Sequence, residues 1–432
     1  MRKIATVGAQ SSTASSPANE VGNGSEHEPV WESLETFARG GMQRLMQRVL
    51  EEEVDAVLGR RKSERRTDDS NPGYRNGHGR PRTLALSSGT ITVQRPRVSD
   101  MEERFASRLL PLFKRRTEEV GALLPELYLH GLSFGDFDLA LRGLLGDAAP
   151  LSPSSILRLK QEWQEQYDTW KRRDLSDLDI VYLWADGIYV KAGLEKDKAA
   201  LLVLIGALSN GEKVILAVES GPRESSESWN AVFRDLKARG LRAPKLTIAD
   251  GHLGIRAGLR SVYPTSAEQR CWNHKLRNVL DVIALKHQPE VKLKLQKIAA
   301  AETQKECEHL KREFRKSYER THPKAVERLE RDCDRMVTYY TFPQEHWTHI
   351  RTTNVVESPF AAVRLRTGAA KRFKRVENAT ALIWKMLLVV QQNFRKLNAP
   401  HLLAHVYAGT EYQDGISTNA RAVKPVGEKA AA

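Results

Sequence analysis

At 432 residues the chain is long enough for two or three domains with sizeable cores. Its 68 Lys and Arg against 54 Asp and Glu give a net charge of +14 and a pI near 9.6. That balance favours a polyanionic partner, nucleic acid ahead of an anionic membrane surface, and disfavours a sensor of acidic ligands. No apolar run approaches the roughly 18 residues of a spanning helix, and MRKIATVGAQ holds only a stub of a signal-peptide core. The three cysteines, Cys271, Cys307 and Cys333, are an odd count without a framework spacing. The expectation is a soluble protein of a reducing intracellular compartment, with no membrane partner.

Residues 1–28 are rich in Ser, Ala, Thr, Asn and Gly, cannot offset the entropy of ordering, and are expected to be disordered. A region over 29–115 follows. Its apolar positions Trp31, Leu34, Phe37, Met42, Leu45, Met46, Val49 and Leu50 predict a helical hairpin or one interrupted helix, with Gly40 and Gly41 as the weak point. The basic stretch Gly59 to Arg82 reads as a loop that contacts a phosphate backbone, with Tyr74 and Arg75 able to stack; a solvated linker is the plain alternative. Leu84 to Val98 reads as a hairpin turning at Gly89.

Three helical patterns between 116 and 175 predict a trihelical unit of the helix-turn-helix kind: Thr117 to His130, Ser133 to Leu145, and Ser152 or Ser154 to Trp170. Its last helix would present Ser154, Ser155, Arg158 and Lys160 to base edges. Any packed three-helix unit shares this pattern.

From 176 the pattern becomes α/β. The run IVYLWADGIYVK (Ile180 to Lys191) is a strand that carries one acid, Asp186, through apolar surroundings. Burying a carboxylate is costly unless it is paired or binds a metal. KLTIADG (Lys245 to Gly251) ends a second strand on Asp250. Further strands are expected at Ala199 to Ser209, Lys213 to Glu219 and Ala267 to Cys271, and helices at Ser225 to Arg239, Leu253 to Val262 and His274 to Lys286. Three antiparallel strands followed by alternating helix and strand is the order of a ribonuclease-H-like mixed sheet, here over 176–288. A third acid, Glu357, lies in RTTNVVESPFAAVRLRT. Asp250 follows Asp186 by 64 residues and Glu357 follows by a further 107, far more than one connection uses, so a helical insertion is expected over 289–345. The core then closes over 346–408, where Val376 to Leu397 has one wide apolar face, and 409–432 is a flexible tail.

Three carboxylates converging on two divalent cations would form a phosphoryl-transfer site, and oxygen-only ligands favour Mg²⁺ or Mn²⁺ over zinc. Taken singly, each acid could merely end a strand or cap a turn. CWNH places Cys271 and His274 at a zinc-like i, i+3 spacing, but no second pair follows, so a four-ligand zinc site is not expected. Arg351, Arg364, Arg366, Lys371, Arg372, Lys374 and Arg375 surround Glu357 with positive charge and, beside a metal site, read as contacts to the DNA backbone; a solvated basic face is the plain alternative.

Several of these stretches, in this order, resemble the IS256, or mutator-type, family of DDE transposases. The similarity runs from roughly Leu45 to Asn398 and includes NPGYRNGH, VYLWADGIYVK, ESSESWNAVFRDLKARGL, TIADGHLGI, CWNH and RTTNVVES with VRLRT. The resemblance implies a ribonuclease-H-like catalytic domain with a helical insertion, acting on terminal inverted repeats and target DNA, in the cytoplasm of a prokaryote. It implies Asp186, Asp250 and Glu357 as the acidic triad holding two Mg²⁺ or Mn²⁺ ions, Cys271 and His274 as the family's C/D-x-x-H motif, and a homodimer or larger assembly on DNA. Two alternatives stand beside it: a catalytically silent DNA-binding protein of the same descent, and a structure-selective nuclease. Glu357 has two readings. Either it sits at the third position of a helix capped by Asn354, with Pro359 inside, or Ser358 is the cap and Glu357 lies just outside.

Overall fold

The computed structural model describes residues 30–67, 71–110, 116–130, 132, 140–141, 145, 153–192, 198–221, 225–370 and 372–418. The described residues fall into two compact units, one drawn from Met1–Val120 with Leu141–Pro150, the other from Gly121–Ala140 with Leu151–Ala432. The tail expected over 1–28, most of the helix expected over Ser133 to Leu145, and the last residues of the C-terminal tail lie outside the described residues.

In the first unit the apolar spacing after Pro29 produces one helix, Val30–Leu58, with Gly40 and Gly41 inside it. Four short strands follow, β1 (Tyr74–His78), β2 (Arg82–Leu86), β3 (Gly89–Val93) and β4 (Pro96–Ser99). The alternation through Leu84 and Ile91 makes the expected hairpin, β2 against β3, and Leu84, Ile91, Val93 and Leu110 bury Leu50 of the helix. Gly89 turns it at φ +118°, where an added Cβ would meet the Arg39 side chain at 2.8 Å. The basic stretch before the hairpin is not wholly loop. Its Tyr74–His78 segment pairs antiparallel with β4, and Arg75 is held by Glu51, at 3.1 Å, and by Asp55 of the helix.

In the second unit five strands, β5 (Ile180–Val190), β6 (Ala199–Leu208), β7 (Lys213–Gly221), β8 (Leu246–Ala249) and β9 (Ala267–Arg270), form one mixed sheet in the order β7-β6-β5-β8-β9. The first three are antiparallel neighbours, while β8 and β9 run parallel to β5. Helices Ser226–Ala238 and Leu253–Val262 cover one face, where Trp229, Phe233, Leu236, Ile255 and Leu259 pack on Leu183, Ala185, Leu202, Leu204 and Ala249. Truncating Trp229 or Phe233 in such a core costs about 3–5 kcal/mol.

Helix Pro153–Lys171 belongs to this same unit. Its Tyr167 hydroxyl donates to the Val218 carbonyl at 2.7 Å, Lys171 pairs with Glu219 at 2.6 Å, and Tyr167 and Trp170 pack on Trp384 of helix Val376–Gln391. The boundary expected at 175 therefore does not separate it from the sheet, because its aromatic face covers that sheet's β7 side. The helix expected from His274 to Lys286 is shorter, Trp272–Leu280, and a single 3₁₀ turn follows at Leu285–His287. Helices Gln288–Ala300, Gln304–Tyr318 and Pro323–Glu330 follow, then 3₁₀ turns through Thr341. This segment is locked to β9 by Arg270 to Asp332 at 2.7 Å and Arg335 to Glu268 at 2.5 Å. Among the described residues no helix is long and apolar enough to cross a membrane.

Candidate active site and its basic surroundings

Asp186 and Asp250 are brought together by strand register. Ala185 pairs with Ala249 across the parallel β5 and β8, so the next residue on each chain is one of the two acids. Ala185 and Ala249 face the helix-covered core. Side chains alternate along a strand, so Asp186 projects from the opposite face, as Tyr182 and Trp184 do, and the same alternation carries Asp250 there one residue past the end of β8. The Gly187 N–H donates to Asp186 Oδ1 at 2.9 Å and the His252 N–H donates to Asp250 Oδ1 at 2.7 Å. Local backbone thereby orients both carboxylates. Gly251, between Asp250 and His252, sits at φ +95°, and an added Cβ would meet Arg270 Nε at 2.2 Å.

The segment that carries the third acid runs along the same face of β5. The Tyr182 hydroxyl meets His346 Nδ1 at 2.8 Å, and Trp184 Nε1 donates to the His349 carbonyl at 3.0 Å. His346 Nε2 lies 3.3 Å from the Ala399 carbonyl, an acceptor, so that nitrogen carries the proton and Nδ1 accepts from Tyr182. Burial lowers the pKa of both His346 and His349. Past them, the short helix Asn354–Glu357 packs on β5 and β6. Its cap position is Thr353, not Asn354, and Glu357 is its last residue. Ser358 and Pro359 separate it from helix Phe360–Ala370, because proline cannot donate the bond that would join the two helices.

The C-x-x-H stretch meets this turn. The Cys271 N–H donates to the Ala249 carbonyl at 2.7 Å, extending β9 beside the residue before Asp250. The Trp272 N–H donates to the Arg351 carbonyl at 3.0 Å, and Asn273 Nδ2 donates to Asn354 Oδ1 at 2.9 Å. Cys271, His274 and Glu357 each place a ligand-type atom within 4.8 Å of the others. His274 Nδ1 is 3.6 Å from Glu357 Oε1. Thr353 joins them: its N–H donates to Cys271 Sγ at 3.2 Å, and its hydroxyl contacts Cys271 Sγ at 3.1 Å, His274 Nδ1 at 3.3 Å and Glu357 Oε1. Burial pushes the Cys271 thiol up, partly offset by its hydrogen bonds from Thr353.

A family comparison settles what kind of chain carries this arrangement: residues 23–396 match the family described as transposase, mutator family. The chain belongs to the mutator family of transposases. Among its relatives, the transposase for insertion sequence element IS6120 of Mycolicibacterium smegmatis is 42% identical over 293 residues, 68% of this chain and 91% of that protein. The transposase for IST2 of Acidithiobacillus ferrooxidans is 39% identical over 282 residues, 65% of this chain and 95% of that one. The transposase for IS256 in transposon Tn4001 of Staphylococcus aureus is 25% identical over 318 residues, 73% of this chain and 80% of that one. The HTLV-2 integrase catalytic core domain in complex with magnesium overlaps at a TM-score of 0.17 and 16% identity, over 29% of this chain and 87% of that one.

The basic residues expected to meet DNA divide in this transposase. Arg158, Arg364 and Arg372 are exposed. Lys160 lies 5.4 Å from the Tyr128 ring centroid, and the half-exposed Tyr74 has Arg60 and Arg66 near its ring at 5.5 and 5.8 Å. Arg366 is instead 3% exposed, its guanidinium 3.9 Å from the Tyr128 centroid, and Arg351 donates to the Ala299 carbonyl at 3.0 Å. As placed, Arg366, Arg351 and Arg75 serve internal contacts. Helix packing turned Arg366 inward and Arg364, two residues earlier, outward. Lys371 and the side chains of Ser154 and Ser155 lie outside the described residues. Thr353 was missed from the sequence; its signal was a hydroxyl four residues before an acid.

Proposed function

We propose that this transposase is a ribonuclease-H-like DDE enzyme that binds the terminal inverted repeats of an insertion sequence, cleaves DNA there and joins the ends to target DNA. The observation that carries the reading is the path of one segment along β5: Tyr182 to His346, then Trp184 to His349, then the helix ending at Glu357 against the strands beside Asp186. The strand order β7-β6-β5-β8-β9, with the helical insertion between the second acid and the third, supports the same reading.

The donor set fits a hard cation. Asp186, Asp250 and Glu357 offer only carboxylate oxygen, which Mg²⁺ and Mn²⁺ prefer and zinc does not require. These three residues would hold the metal, with two ions expected, and bound metal would supply activation of a water or 3′-hydroxyl and stabilisation of the leaving oxygen. The chain's own part is placement. Gly187 and His252 aim the two aspartates, and Arg158, Arg364 and Arg372 would neutralise phosphates of the bound duplex. Two ends must be held together for joining, so a homodimer or larger assembly on DNA is part of the proposal, with the cytoplasm as its place of work.

The test is Mg²⁺-dependent reaction on a plasmid carrying the DNA that flanks this gene, comparing wild type with Asp250→Asn. Cleaved and joined products from wild type alone support the proposal. Cleavage without joining would favour a structure-selective nuclease, and specific binding without either product would favour a silent DNA-binding protein.

A further inference from the structure

Thr353 is fully buried, yet its hydroxyl faces three polar partners at once: the Cys271 thiol at 3.1 Å, His274 Nδ1 at 3.3 Å and the Glu357 carboxylate. A hydroxyl has one proton to give and two lone pairs to receive. The strongest acceptor in the group is the carboxylate, so the Thr353 proton goes to Glu357. A lone pair of Oγ1 then receives from the His274 Nδ1–H, while the Cys271 sulfur, 3.1 Å from Oγ1, accepts from the Thr353 backbone N–H. His274 Nδ1 faces only acceptors in this cluster, Thr353 Oγ1 and, at 3.6 Å, Glu357 Oε1, which sets its proton on Nδ1. The Thr353 N–H to Cys271 Sγ bond fixes the backbone from which the hydroxyl projects, and the Cys271 N–H to Ala249 bond ties that thiol to the strand end before Asp250.

We propose that Thr353 is the positioning residue for the third acid: its hydroxyl couples the C-x-x-H pair to Glu357 and holds that carboxylate in place for metal. This rests on the reading of Glu357 as a metal ligand. Cys271 and His274 thus act through a hydroxyl on the acid, and the cluster is a hydrogen-bonded support and not a second metal site.

The experiment is Mn²⁺ binding to the full chain by electron paramagnetic resonance and calorimetry, for wild type, Thr353→Val, Thr353→Ser, Glu357→Gln and the Thr353→Val/Glu357→Gln pair. Melting curves and binding to terminal DNA serve as controls of folding. Removing a group that orients a metal ligand commonly weakens metal binding about 10- to 100-fold. Thr353→Val is expected to weaken Mn²⁺ binding by roughly that factor, Thr353→Ser to restore most of it, and Thr353→Val to add no further loss in the Glu357→Gln background. Histidine ¹⁵N spectra are expected to show the Nδ1–H form of His274 in wild type and a mixture in Thr353→Val. Wild-type Mn²⁺ affinity in Thr353→Val, with Glu357→Gln impaired, would overturn the positioning role alone. An equal loss in both backgrounds would also overturn it, by showing an effect that bypasses Glu357. Wild-type affinity in Glu357→Gln would instead remove Glu357 from the site and take the proposal with it. Tight one-to-one zinc binding lost in Cys271→Ser and His274→Gln would make the cluster a metal site and overturn the hydrogen-bonded reading. If Thr353→Val does not fold, Thr353→Ala removes the hydroxyl without the added methyl and is judged by the same comparisons.

Discussion

The backbone N–H of Cys271 donates to the carbonyl of Ala249 at 2.7 Å, so the first residue of the C-x-x-H stretch is fixed to the residue that precedes Asp250. Through Thr353 the same cysteine reaches the turn that bears Glu357. One short path of hydrogen bonds therefore links the second acid to the third, although 107 residues of chain, most of them the helical insertion, lie between them. The insertion can occupy that interval without disturbing the site because its contacts to β9, through Arg270, Asp332, Arg335 and Glu268, close the loop at its base.

The division of the arginines makes a prediction about binding. Arg158→Ala and Arg364→Ala, at exposed positions, should each weaken binding to terminal DNA and lower the salt slope of log K by about one. Arg366→Ala should instead lower stability by about 2 kcal/mol, because it removes a buried guanidinium from the Tyr128 ring. Filter binding across salt concentrations, with a melting curve for each variant, separates the two effects. A folded Arg366→Ala protein that keeps wild-type stability but loses a phosphate contact would contradict this placement.

Buried His346 and half-buried His349 predict a pH dependence of stability. His346 and His349 both have pKa values lowered by burial, with Glu345, His401 and Lys213 as the nearby charged or titratable groups and Tyr182 bonded to His346. Below the ordinary histidine pKa of about 6.5 the unfolded chain binds protons that the folded chain refuses. Their contribution is therefore fully present above that value and is lost as pH falls toward the lowered folded pKa, by up to about 1.4 kcal/mol per pH unit for each histidine. Melting temperature should fall between pH 7.5 and 5.5, and His346→Gln should flatten the fall. An unchanged slope in that variant would assign the dependence to other groups.

Gly251 predicts an effect that joins fold and site. At φ +95°, with Arg270 Nε 2.2 Å from where a Cβ would stand, Gly251→Ala must displace either the turn that orients Asp250 or the Arg270 to Asp332 pair. The backbone strain alone costs on the order of 1–3 kcal/mol. Melting temperature and Mg²⁺-dependent cleavage should fall together. A variant with wild-type stability and activity would show that the turn is not under this constraint.

Much of the sheet was legible in the sequence, because a long apolar run broken by a single acid, as in β5, or a short one ending at an acid and a glycine, as in β8, leaves few other readings. The hairpin at Gly89 was legible for the same local reason, a β alternation and a turn glycine. What was not legible depended on contacts distant in sequence. Tyr74–His78 reads as basic loop until it is paired with Pro96–Ser99, some twenty residues on. Arg364 and Arg366 are alike in composition and neighbourhood, and only helix packing turns one outward and the other onto Tyr128. Thr353 gave the least warning, since a threonine before a short helix is an ordinary cap until Cys271 and His274 arrive from 79 or more residues away.

If Asp186 in β5 and Asp250, one residue past the end of β8, share one metal site, Mn²⁺ binding by calorimetry to the full chain in wild type, Asp186→Asn and Asp250→Asn reads it out. Wild type is expected to bind, and either single substitution to weaken binding at least tenfold with folding preserved in both. Retained affinity in either folded variant would contradict it.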